Sequence, residues 1–203
     1  MTSKLSKKVI ASCLSGLLLS GGAFSQIDEI IVTAKKKEES LQDIPMSVSV
    51  TTAEQIEQSA IVDLLDLQSA VPSLEVRQFQ KTTETNFIIR GYGNGSNNPG
   101  IEPSVGVYID GVARTRSASA MADLPTIERV EVLSGPQSTL FGKNASVGVI
   151  SITTKLPEQE FGGSLQATIG SYGSTGVKGT VTGGLTDTTA FRLSASSNSN
   201  DGY

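Results

Sequence analysis

The side chains best suited to chemistry are few in this sequence, and they do not converge. His and Trp are absent, and the one cysteine, Cys13, lies in the first 25 residues. A histidine base, a cysteine nucleophile and the commonest zinc ligands are therefore missing from everything that follows. Carboxylates remain, but Asp110, Asp123 and Glu131 are scattered through turns and strands. No spacing among them sets up an acid–base pair, so an exported hydrolase has no site here. Two glycine-rich stretches invite a phosphate reading and fail it. Gly91–Gly100, GYGNGSNNPG, has the wrong glycine spacing and no following helix. In Gly173–Thr180, GSTGVKGT, the lysine precedes the second required glycine. What is left is a set of loop cations and amides. Arg114 and Arg116, in the small-residue loop Ala113–Ala120, suit an anionic ligand or are simply solvated.

Composition agrees with a chain that is not an enzyme. It has 203 residues, 21 glycines and a net charge of −4. Residues 1–25 hold lysines and no acid, so the remainder is more acidic still, which argues against nucleic acid as a partner. That opening segment reads as a secretory signal peptide. Lys4, Lys7 and Lys8 precede the apolar run Val9–Leu19, and Ala23-Phe24-Ser25 offers small residues for a cut before Gln26. The run is too short to span a membrane as a helix. Too little apolar sequence precedes Cys13 for a lipoprotein signal. The exported chain then begins with Ile27–Ala34, IDEIIVTA, and the charged run Lys35–Glu39. By its pattern, this apolar stretch is either an edge strand of the next domain or a free peptide that adds a strand to a partner's sheet.

The elements that must position these groups read β, α, α, β over Ser40–Val76. Met46, Val48 and Val50 alternate as a half-buried strand, and Thr52 with Gln55 forms a capping box. Ile61, Leu64, Leu67 and Val71 recur at helical spacing until Pro72. A strand starts at Leu74 and Val76, Gln78–Thr85 is a polar loop, and Asn86–Arg90 is a further strand. Val105, Val107 and Ile109 alternate up to the turn Asp110-Gly111, and Asp123–Ile127 could form a helical turn. Glu128–Lys155 is the core stretch. Val130 and Val132 point to one face of a strand and Arg129, Glu131 and Leu133 to the other. Pro136 suits the first position of a one-turn helix over Gln137–Phe141 that Gly142 ends in a left-handed conformation. A second strand then carries Ile150 and Ile152 on one face, and Val149, Ser151 and Thr153 on the other.

After Pro157 the pattern changes. Leu165/Ala167/Ile169, Val177/Gly179/Val181 and Phe191/Leu193/Ala195 alternate with polar residues, in segments about as long as the ~9–11 residues a tilted strand needs to cross a bilayer. Phe161, Tyr172, Phe191 and Tyr203 fall near their ends, where an aromatic girdle would lie. Three strands cannot close a barrel, since the smallest membrane barrels need about eight. The chain is therefore expected to be a fragment of something larger.

In this order, SLQDIPMSVSV, DLLDLQSAVPSLEV, FIIRGYG, VGVYIDGV and IERVEVLSGPQSTLFGKNASVGVISITTK resemble the N-terminal part of TonB-dependent outer-membrane receptors. The resemblance implies an α+β plug domain, a small mixed sheet with short helices, followed by the first antiparallel strands of a transmembrane β-barrel of about 22 strands. It implies residues 1–25 as signal peptide, 26–40 as TonB box and linker, 41–156 as plug and 157–203 as the start of the barrel. It turns Asp28, Glu29, Ile30, Ile31, Val32 and Thr33 from an edge strand into the peptide that TonB captures. The outward-facing plug loops would carry the ligand-binding residues Gln78, Gln80, Lys81, Arg114 and Arg116, and Gly91–Gly100 ranks behind them. Implied partners are the periplasmic domain of TonB with its inner-membrane energising complex, a ferric siderophore or other small ligand, and outer-membrane lipid. No nucleic acid, catalytic residue, metal site or cofactor is implied. Ser134 departs from the pattern, because the family usually has arginine there. A soluble periplasmic binding module with a plug-like fold, or a non-functional fragment, is the alternative.

Overall fold

Alternating β-branched residues make strands, and strands apolar on both faces must be covered twice. The computed structural model shows how this chain covers them. It describes residues 31–32, 39–40, 42, 44–59, 61, 63–79, 85–94, 101–116, 126–171, 173–199 and 201. The export signal, Asp28–Ile30, Thr33, Gln80, Lys81, Asp123, Tyr172, Tyr203 and most of the Gly91–Gly100 loop lie outside these residues.

Among the described residues, four sheets and three short helices are built from the following elements, in chain order. They are β1 (Ile31–Val32), β2 (Glu39–Ser40), β3 (Val48–Thr52), α1 (Ala53–Gln58), α2 (Leu64–Ala70), β4 (Leu74–Gln78), β5 (Thr85–Ile89) and β6 (Tyr92–Gly93). Next come β7 (Val105–Ile109), β8 (Val112–Arg114), β9 (Ile127–Ser134), α3 (Ser138–Phe141), β10 (Gly148–Thr154), β11 (Gly162–Ile169), β12 (Thr175–Thr186) and β13 (Thr189–Ser199). The central sheet has the order β3-β9-β10-β7-β8, with β10 parallel to β7 and antiparallel to β9. A smaller antiparallel sheet is β4-β5-β6, and β11-β12-β13 form a third.

The central sheet is a middle layer. One face turns Val107, Val130, Val132, Ile150 and Ile152 onto Leu64 and Leu67 of α2 and onto Phe87 and Ile89 of β5. Leu133, Tyr108 and Val149 turn the other way, onto Ile44, Ala145 and Val32. The register puts Ile150 opposite Val132 and Ile152 opposite Val130, so the two apolar rows of β9 and β10 coincide. The expected alternation in Glu128–Lys155 is therefore the observed one.

Local chemistry sets the ends. The Thr52 hydroxyl accepts the Gln55 N–H and the Gln55 side chain accepts the Thr52 N–H, the capping box in full. Helix α2 starts later than its apolar stripe suggests. Asp63 caps it by accepting the N–H groups of Leu65 and Asp66, which leaves Ile61 in the preceding turn. The helix after Gly135-Pro136 is also shorter than its expected span. Gln137 is its cap, Pro136 lies outside it, and Gly142 ends it at φ 85°, ψ −167°, positive in φ but not the left-handed helical well. At the ends of the small sheet, Thr85 belongs to β5 and Arg90-Gly91 to a turn, with Arg90 at φ 53°.

The third sheet obeys the period of two. Leu165 pairs with Gly179, which pairs with Ala195, and Val181 pairs with Leu193, all on one face. Leu165, Ile169 and Leu193 are exposed there. The opposite face carries the rows Gln166–Lys178–Ser196 and Ser164–Thr180–Ser194. Thr180 and Thr182 are buried. The sheet is thus apolar outward and polar toward the central domain, the division a barrel wall around a polar lumen requires.

Candidate functional site

The N-terminal peptide is docked where it can be described. Ile31 pairs with Ser40 and Val32 with Glu39, a ribbon two residues long on each side. Val32 is fully buried among Ile44, Tyr108, Leu133, Ala145 and Val149. Burying one such side chain stabilises by ~1.5–3 kcal/mol. The adjoining Tyr108 hydroxyl donates to the Phe141 carbonyl, and the two rings meet edge to face at 4.9 Å. Burial pushes the Tyr108 phenol above its ordinary pKa.

The loop residues expected to meet a ligand are placed on two different sheets. Gln78 ends β4, exposed, opposite Thr85. Arg114 ends the edge strand β8 opposite Val107, and Arg116 follows it, also exposed. No hydrogen bond or ion pair joins Gln78 to Arg114 among the described residues, so the fold does not by itself gather them. Ala113–Ala120 was expected as a loop, yet its first residues extend β8. The hydrogen bond from Arg77 to Glu75, with the attraction between their charges, raises the Arg77 pKa further beside Gln78.

The two described acids that looked unassigned have structural duties. Asp110 sits at φ 50° in a turn with Gly111 at 77°. Its carboxylate accepts the Thr154 N–H and the Thr154 hydroxyl, each at 2.9 Å, tying the β7–β8 turn to the end of β10. Glu131 is completely buried and accepts from Arg129 Nε at 2.8 Å. Arg129 also reaches Glu128 at 2.5 Å. The sequence carried a signal for this pair, since residues two apart on a strand share a face.

Sequence reasoning missed a polar seam. Helix α1, Thr126, Ile127 and Lys155 face the polar side of β11–β13 across a cavity of about 230 Å³. Lys155 meets Glu57 of α1 at 4.0 Å, the limit of an ion pair. Beside the seam, Arg192 donates twice to the Leu156 carbonyl and once to Glu158, while Thr182 accepts the Glu158 N–H. These bonds fasten the connection from β10 to β11 onto the wall strands. Nothing along the chain signals the seam, because helix α1 meets the wall strands only through long-range packing.

With this architecture in view, the relatives are informative. The family model described as TonB-dependent Receptor Plug Domain matches residues 40–149. The chain is 33% identical over 175 residues to an iron-regulated outer membrane virulence protein of Vibrio cholerae, covering 78% of this chain and 25% of that protein. It is 31% identical over 149 residues to the vitamin B12 transporter BtuB of Vibrio vulnificus, covering 71% of this chain and 23% of the transporter. Among solved structures, the ferric yersiniabactin uptake receptor FyuA from Yersinia pestis superimposes with a TM-score of 0.65 at 27% identity, covering 70% of this chain and 22% of FyuA. The chain thus spans about a quarter of the length of the curated relatives it matches. The receptors in this family are transport proteins, and the order shared with them, a doubly covered mixed sheet leading into strands apolar on one face, is the order found here. Matched by the plug-domain model over more than half of its length, this chain belongs to the TonB-dependent receptors of the outer membrane.

Proposed function

We propose that this chain is the N-terminal part of a receptor that takes up a scarce ligand across the outer membrane, and that the ligand is a ferric siderophore. Residues 1–25 export it, 26–40 are the TonB box and linker, 41–156 are the plug, and 157–203 begin the barrel wall. TonB, energised from the inner membrane, captures Asp28–Thr33 and pulls. Ligand binds from outside to Gln78, Gln80, Lys81, Arg114 and Arg116 together with barrel loops, the cations and amides matching an anionic oxygen-rich complex. No nucleotide is hydrolysed by this chain in that scheme.

The observation that supports the reading is where the box is docked. Among the described residues, Ile31 and Val32 pair with Ser40 and Glu39, and a buried valine anchors them on the plug. A short ribbon opens locally at a small fraction of the stability of the sheet behind it. Traction on the N-terminus would therefore strip β1 first and disturb the plug core afterwards.

The test is a receptor in which Asp28–Thr33 is deleted, expressed in cells lacking other receptors of this kind. Surface binding of iron-55-labelled siderophore is expected to persist while accumulation falls to background. Unimpaired accumulation would overturn the proposal. A peptide spanning Ile27–Ala34 is expected to bind the periplasmic domain of TonB.

A further inference from the structure

The seam between α1 and the polar face of β11–β13 holds more positive charge than its neighbours neutralise. Its lining includes Lys155, Lys178 and Arg192 against one carboxylate, Glu57. Arg192 is committed, its guanidinium bonded to the Leu156 carbonyl and to Glu158. Glu57 is drawn to Lys155, and at 4.0 Å that contact leaves most of the donors of the lysine ammonium unused. Lys178, half-buried on the central wall strand, makes no ion pair within 4.0 Å among the described residues, and the carboxylate that acts on it is the same Glu57 that Lys155 meets. A partly desolvated ammonium in such a place is stabilised by a counter-charge.

The surroundings of Lys178 specify what kind. The register places Gln166 and Ser196 on either side of it, in one row across the three strands. Thr180 lies two residues along the same face and bonds the Ser194 hydroxyl at 3.2 Å. An amide and hydroxyls on the same face as an ammonium bring N–H and O–H donors to one wall of the cavity, a donor set suited to a compact oxyanion. Across the cavity, Lys155 offers a second cation from the other wall. The available space, about 230 Å³, suits a small solute and excludes a folded segment. Lipid is excluded as the source, because this face is turned toward the central domain and the apolar face is turned away from it.

We propose that this seam is an oxyanion-binding site, taking a carboxylate- or phosphate-bearing small solute between Lys178 and Lys155. The site is separate from Gln78, Arg114 and Arg116, and it stands whether or not the outer loops take a siderophore. Its two cations come from opposite walls, so a bound anion draws the end of strand β10 and strand β12 together across the cavity.

The experiment is isothermal titration of the full-length receptor that carries this chain at its N-terminus, purified in detergent micelles, with sodium citrate and, separately, with inorganic phosphate, at constant ionic strength held with chloride. Saturable binding of either probe is expected, and the probe that saturates identifies the group. Lys178→Gln is expected to weaken that binding about tenfold, in line with loss of one charge-assisted contact. Lys178→Arg is expected to stay within about threefold, since it keeps charge and donors. Lys143→Gln, on an exposed surface beside Glu102, serves as the control and is expected to change nothing. If Lys178→Gln fails to give the wild-type circular dichroism spectrum, Lys155→Gln takes its place, with weakened binding expected. Failure of both probes to saturate wild type overturns the site, as does unchanged binding in a folded Lys178→Gln or Lys155→Gln variant.

Discussion

Arg129→Met is the sharpest probe of how the plug sheet is held together. Glu131 has no exposed side-chain surface, and Arg129 is 14% exposed with its Nε 2.8 Å from the Glu131 carboxylate. The register sets Glu131 between Ser151 and Val50, on the face that packs Leu133 and Tyr108. Removing one member of a buried ion pair destabilises by ~3–5 kcal/mol, because the other charge stays behind desolvated. Arg129 retains some contact with water and is shared with Glu128, so the low end, about 3 kcal/mol, applies here. That is a rise of roughly 150-fold in the opening equilibrium of the surrounding strands. Hydrogen exchange followed by mass spectrometry reads this directly, as lost protection in the peptides covering Ile127–Ser134 and Gly148–Thr154. The double replacement Arg129→Met with Glu131→Leu removes both charges and is expected to recover to within about 1 kcal/mol of wild type, since an apolar pair of similar volume is tolerated. The reasoning fails if the single variant loses less than about threefold in protection, or if the double variant is no better than the single.

Three further outcomes follow from the same structure. Gly148→Ala would bring a Cβ to 2.5 Å from the Leu133 carbonyl oxygen and 2.6 Å from Ile89 Cδ1, and the first of these is backbone in a paired strand. It should lower stability by ~1–3 kcal/mol, measured as a reduced urea midpoint. Asp110→Ala removes two acceptors from Thr154 and puts an unsuitable residue at positive φ, so a loss of ~1–3 kcal/mol is expected. Asp110→Asn, which keeps an acceptor and tolerates that conformation, should recover part of this loss in the same measurement. Tyr108 has a raised folded pKa, so its stabilising contribution is complete below the unfolded value near pH 10 and declines as pH rises above it. Tyr108→Phe should flatten that alkaline decline in a series of denaturation curves between pH 8 and 11, at the expense of about 1 kcal/mol from the lost hydrogen bond to the Phe141 carbonyl.

How the peptide Ile31–Val32 divides its attachment bears on the receptor's behaviour. A valine buried beside Tyr108, Leu133 and Val149 links the N-terminal peptide to the same side of the sheet that Glu131 and Arg129 support.

Much of this was written in the chain itself, for a physical reason. A strand's period of two is a local property, so the paired rows Val130/Val132 and Ile150/Ile152, and the apolar rows of β11–β13, could be read directly. Capping is equally local, and Thr52 with Gln55 announced the start of α1. The exclusion of histidine, cysteine and glycine-loop chemistry depended on residue types and spacing alone. Other features required the third dimension. Asp63 stopping α2 short of Ile61 was a competition between a capping side chain and an apolar stripe, and only the folded backbone decides it. Glu131 looked like a stray acid until Arg129 and the covering layer made it a buried pair. Lys178 looked like one more lumen-facing polar residue until Glu57 and Lys155 arrived across the seam. Periodicity assigns each residue a face. What stands opposite that face is set by long-range packing, and the charges that matter most in this protein are those whose neighbours come from far along the chain.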